Sequence, residues 1–161
     1  VKPIYAVLSA IALAVAVNVY IFATRVELSA VASQTIFANT ITVLSLVPIY
    51  LILLLKHKQL PIDMPSRVKV SLKAVAIFAL CMAITTAILF NTSGEYLIHD
   101  RLVVIQQLLK DSGLTAEEQA SRLLSAQRIY SPATQVLIGT IATLFTGFIS
   151  SIVASVAVRS K

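Results

Sequence analysis

The chain has 161 residues, 58% hydrophobic and 12% charged, and carries a net charge of +6 at pH 7. So few charges on so apolar a chain exclude an ordinary soluble domain and a disordered one, and the long apolar runs define an integral membrane protein. The single cysteine, Cys81, excludes an intrachain disulfide, and no nucleic-acid partner is expected, because most of the basic excess lies in one connection between apolar runs, where it reads as a topology signal.

The chain opens on Val1 rather than Met, from which a processed or trimmed start is expected. The first predicted span covers residues 4–24. It is too long and too continuous for the core of a signal peptide. Ala6, Ala10 and Ala14 repeat at every fourth position and are followed by Asn18, so one side of this helix is lined with small residues. Arg25 and Glu27 close it, as a possible ion pair. The second span covers 36–55, with Asn39, Thr40, Thr42 and Ser45 in its first half and Pro48 interrupting its hydrogen bonding. Between 56 and 73, five basic residues (Lys56, Lys58, Arg67, Lys69 and Lys73) stand against one acid, Asp63. This stretch reads as a loop suited to anionic lipid headgroups or a partner, with Ser66 as the cap of the next helix. The third span covers 72–90.

Residues 95–130 form the one sizeable polar segment. Leu97, Val104, Ile105, Leu108 and Leu109 share a helical face, and Ser112-Gly113 ends that helix. Thr115 with Glu118 three residues on is a capping-box pattern for a second helix. An amphipathic helical hairpin follows, on the membrane surface or over the end of the bundle. The fourth span covers 133–158, opened by Ser131 and Pro132 and closed by Arg159 and Lys161. Gly139, Thr143, Gly147, Ser151 and Ser155 recur along it at every fourth position. In lipid, where little hydrophobic force acts between helices, such a ladder allows close backbone approach. This last helix is expected to be the one its neighbours pack around.

The fold expected is all-α: four transmembrane helices in a single membrane domain spanning 1–161, with the hairpin outside. Tyr5, Tyr20, Tyr50, Tyr96 and Tyr130 all lie near predicted membrane boundaries and serve as interface anchors. With both termini and the basic loop on one side, that side holds eight Lys and Arg (Lys2, the five in the loop, Arg159 and Lys161). The other holds five (Arg25, Arg101, Lys110, Arg122 and Arg128) and six of the seven acids. The termini are therefore expected on the cytoplasmic side.

From residue 91 onward the order is span exit, polar hairpin, Tyr130-Ser131-Pro132, then a Gly-bearing last span ending in Arg159 and Lys161. This layout resembles a family of small four-helix bacterial inner-membrane proteins of unknown function. The chain departs from that pattern at Arg67-Val68-Lys69-Val70, where Gly and Phe would precede the third span. The resemblance implies the topology above, a bacterial inner membrane and envelope or glycan-processing surroundings. It implies no catalytic residues.

No charged side chain or histidine falls in the core of a predicted span, which weighs against proton- or ion-coupled transport. Asn18 and Asn39 are the intramembrane amides, suited to interhelical hydrogen bonding or, alternatively, to lining a polar path. His57 and His99 fall on opposite membrane faces and cannot share a metal, and neither a G-x-S-x-G elbow nor a Gly-rich phosphate loop occurs. Neither an enzymatic activity nor a cofactor is expected. The expected function is a non-catalytic accessory subunit of a larger membrane complex, in contact with lipids and other membrane-protein subunits. The alternatives are a small oligomeric channel or transporter and an accessory factor in lipid-linked glycan processing.

Overall fold

The structure, a computed structural model, describes residues 2–25 and 27–158. The terminal anchors expected at Arg159 and Lys161 lie outside the described residues. Six helices follow in order: α1 (Pro3–Thr24), α2 (Leu28–Lys56), α3 (Met64–Thr92), α4 (Glu95–Lys110), α5 (Ala116–Ile129) and α6 (Pro132–Ala157). Of these, α1, α2, α3 and α6 are long and apolar enough to cross a membrane, and α4 and α5 pair between the third and fourth spans.

Two of the spans are longer than their apolar runs. α2 begins at Leu28, well before the strongly apolar stretch, because Leu28, Val31 and Thr35 already face the core. Pro48 sits inside this helix, which continues through it to Lys56. α3 begins at Met64, and its cap is Asp63, whose carboxylate accepts from the Ser66 amide at 2.9 Å. Ser66 is thus the third residue of the helix and not its cap. Each of these helices has 29 residues, about 43 Å at the helical rise, so both project beyond a ~30 Å hydrocarbon layer. The connection between them shortens accordingly to residues 57–63, and Arg67, Lys69 and Lys73 stand on the first turns of α3.

In the bundle, α2 and α3 each pack against all the other spans, whereas α1 and α6 lie on opposite sides and do not meet. The most extensive contacts between spans are those of α6 with α3 and with α2, whereas α2 and α3 touch each other least of the spans that meet, so α6 is wedged between these two and does not reach α1. The buried stripe on α6 is narrow and made of small residues. Thr143, Gly147, Ser150, Ser151, Ala154 and Ser155 face the furrow between α2 and α3, while Leu137, Ile141, Leu144, Phe145, Phe148 and Val153 point outward. Outward apolar side chains of this kind are what a lipid-facing surface requires.

The core has two parts. One gathers Val43, Val47, Leu51, Val75, Phe78 and Met82 in the middle of the bundle. The other, at the hairpin end, joins Ile21, Phe22, Leu28, Val31, Phe90 and Leu97. There Phe22 meets Phe90 edge-on, with ring centroids 4.9 Å apart. Gly94 lets α4 start against these rings: a Cβ on it would lie 2.9 Å from the Phe90 backbone and 3.1 Å from the Phe22 ring.

The hairpin is tied down at its base. Leu97 is buried, the Tyr96 hydroxyl donates to the Arg25 carbonyl at 3.2 Å, and Arg101 lies 5.7 Å above the Tyr130 ring. Arg25 Nε donates to Gln34 Oε1 at 2.9 Å, so the side chain meets an amide rather than Glu27. The capping box forms as its sequence pattern predicts, with the Thr115 amide and hydroxyl both donating to Glu118. Farther out, Val104, Leu108 and Leu124 are exposed, so only part of each amphipathic face is used inside the chain.

Candidate functional site

The two intramembrane amides meet. Asn18 Nδ2 on α1 donates to Asn39 Oδ1 on α2 at 3.2 Å and approaches the Met82 sulfur on α3 at 3.6 Å. Asn18 is 0% and Asn39 3% exposed. Both are thus enclosed within one copy of the chain, where they link three spans. A buried amide in lipid has strong reason to find such a partner, since an unpaired polar group there costs several kcal/mol.

The small-residue ladder of α6 divides into two parts. Gly147 is a true close approach: a Cβ placed on it would lie 2.2 Å from Val75 Cγ1 on α3. Thr143, Ser151 and Ser155 are buried on the same side. Gly139 is different, because a Cβ added there would meet nothing within 4 Å. It opens instead onto a cleft between α2, α3 and α6, lined also by Thr35, Asn39, Thr86, Thr140 and Thr143. The alanine stripe of α1 divides in a similar way. Ala14 is fully buried, whereas Ala6 and Ala10 are half-buried at the edge of an apolar crevice of about 400 Å³ between α1 and α2.

That crevice is walled by Tyr5, Ala6, Ser9, Ala10 and Leu13 on one side and by Ile41, Thr42, Ser45, Leu46, Ile49 and Leu53 on the other. Thr42 returns its hydroxyl to the Ala38 carbonyl at 2.8 Å. Ser9 and Ser45 do not do the same: both are exposed in the crevice, and among the described residues neither hydroxyl has a partner.

The five basic residues of the predicted headgroup loop do not act as a set. Lys56, Lys58, Lys69 and Lys73 are exposed. Arg67 is buried, and its guanidinium gathers backbone carbonyls from two places. Nε donates to Pro61 O at 2.7 Å and Nη2 to Ile62 O at 2.5 Å, both in the turn before α3. Nη1 donates to Val158 O at 2.7 Å and to Ser155 O at 3.3 Å, at the end of α6. A guanidinium presents its donors in a fixed fork, and the end of a helix presents carbonyls with partial negative charge, so each suits the other. Arg67 therefore closes α6 onto α3. Its place on a helix, facing inward one turn after Asp63, does not show in the run of basic residues alone.

Among the described residues no group of His, Cys, Asp and Glu is placed to hold a metal ion. His99 is exposed on α4. No family model, no curated protein and no solved structure matches this chain, so the resemblance seen in the sequence goes no further than the architecture of four spans with a helical pair before the last.

Proposed function

We propose that this protein is a non-catalytic subunit of a larger membrane assembly, and that it receives a transmembrane helix of another polypeptide in the crevice between α1 and α2. The observation that carries this reading is the pair of unpartnered hydroxyls, Ser9 and Ser45, in an otherwise apolar crevice of about 400 Å³. An acyl chain would fill the space but offers no hydrogen-bonding group. A helix with a small polar residue on its contact face offers both shape and partner. Ala6 and Ala10 on the crevice wall leave room for a neighbouring backbone to approach. The intramembrane amides share a hydrogen bond between α1 and α2, which supports a packing role over a conducting one. The excess of Lys and Arg beside the α2–α3 turn supports an orientation with both termini cytoplasmic, in a bacterial inner membrane if the layout seen in the sequence is followed.

The test is native mass spectrometry of the protein extracted with its surrounding lipid, for wild type and for Ala10→Phe. The expected result is a stoichiometric complex with a second polypeptide, lost in Ala10→Phe while the subunit itself stays folded. A lone monomer, or an assembly indifferent to Ala10→Phe, overturns the reading. A homo-oligomer that passes solutes in liposomes replaces it with the channel alternative.

A further inference from the structure

The cleft between α2, α3 and α6 is separate from the α1–α2 crevice and owes nothing to the proposed partner. Its free volume is about 20 Å³, against the roughly 10–15 Å³ that one water molecule requires. Its walls are polar in a particular way. Thr35 is 4% exposed and lines the cleft, and its Oγ1 is buried with no hydrogen-bond partner among the described residues. Asn39 also lines it. Its Oδ1 accepts from Asn18, while its own amide nitrogen donates to no group among the described residues. Across the cleft, Thr140 donates to Val136 O and Thr143 to Gly139 O, each at 2.8 Å, which leaves lone pairs on both hydroxyl oxygens. Donors on α2 thus face a space bordered by acceptors on α6. Gly139 keeps that space open.

We infer that this cleft is a binding site for a single water molecule, held between Thr35 and Asn39 on α2 and the threonine hydroxyls of α6. The requirement of two to four polar partners for a buried water is met by these side chains. Gln135, Ala32 and Phe90 line the end of the cleft nearest the hairpin. An apolar molecule of similar size would leave the Thr35 hydroxyl and the Asn39 amide unpaired and is disfavoured by the same physics that selects water.

Water-edited solid-state NMR on the full chain in lipid bilayers tests this directly. Wild type is expected to show magnetisation transfer from water to the Thr35 and Asn39 side chains, and none to buried Leu51 in the middle of the bundle. Gly139→Leu, which fills the open space, is expected to abolish the transfer to Asn39 while the chemical shifts of Asn18 are kept. Thr35→Val, nearly isosteric, is expected to weaken it by removing one partner without closing the cleft, and it serves alone if the leucine variant fails to fold. Absence of transfer in wild type overturns the inference. So does transfer to Asn39 that is undiminished in Thr35→Val and in a folded Gly139→Leu.

Discussion

The two halves of α6 carry the same kind of residue at the same spacing and do opposite things. Toward its end, Gly147 presses on Val75, Ser151 and Ser155 are buried beside it, and Arg67 fastens the last carbonyls. Toward its start, Gly139 faces open space and a small polar cleft. A ladder of small residues therefore permits close approach without enforcing it. What decides is the size of the opposing side chain and whether polar groups hold a gap open. Val75 at one level and Thr35 with Asn39 at the other make that difference.

The sharpest way to break this contrast is to put the same large residue at both glycines. Gly147→Leu is expected to cost about 3 kcal/mol or more, since stiff Val75 has little room to withdraw. Gly139→Leu is expected to cost less, about 1–2 kcal/mol, because no side chain opposes it within 4 Å and the loss is mainly that of a partner for the polar groups of the cleft. Reversible unfolding in mixed micelles measures both, and equal losses would mean that the two halves do not differ. Next in size is Arg67→Ala, expected to cost about 2–3 kcal/mol through lost charge-assisted hydrogen bonds at the end of α6. Arg67→Lys should recover only part of this, having no planar fork, and hydrogen exchange at Ala154 to Val158 reports where the loosening falls. Asn39→Leu is expected to cost about 1 kcal/mol, in the range found for hydrogen bonds between transmembrane helices. A double-mutant cycle with Asn18→Leu should show that loss shared between the two sites. A coupling of zero would mean that the amides do not support each other.

The smallest effect belongs to the hairpin, outside the membrane. Hydrogen bonds from the Thr115 amide, then from its hydroxyl, hold the Glu118 carboxyl below the usual glutamate range. The folded-state pKa is lowered, so this contribution is present above the ordinary glutamate pKa and lost as pH falls through the folded value. Amide exchange at the start of α5 is expected to quicken in that acidic window in wild type, to show a smaller step in Thr115→Ala, which keeps the amide but loses the hydroxyl, and to show none in Glu118→Gln.

Much of this architecture is legible in the amino-acid order. The four spans follow from apolar length, Ser131 and Thr115 from their capping patterns, and the hairpin from amphipathic spacing. The Asn18–Asn39 contact is foreshadowed by the rarity of amides inside apolar runs. What sequence could not give is depth of packing. Hydropathy ends α2 and α3 where polar residues begin, yet Thr35, Arg67 and Ser71 are buried within these helices because neighbouring backbone and side chains satisfy or enclose them. Likewise Gly139 and Gly147 look equivalent in a one-dimensional pattern, and only the residue opposite each one tells them apart.

The clasp at Arg67 also joins parts of the chain that are made far apart in time. Its carbonyl partners at Pro61 and Ile62 are made just before it, while those at Ser155 and Val158 are 88 and 91 positions away along the chain. The carbonyls of Ser155 and Val158 come within reach of the guanidinium only once α6 has been made and packed. Arrival of α6 covers it and fills the furrow between α2 and α3 in one step. α6 thus locks the bundle twice, by filling the furrow between α2 and α3 and by closing the clasp at Arg67.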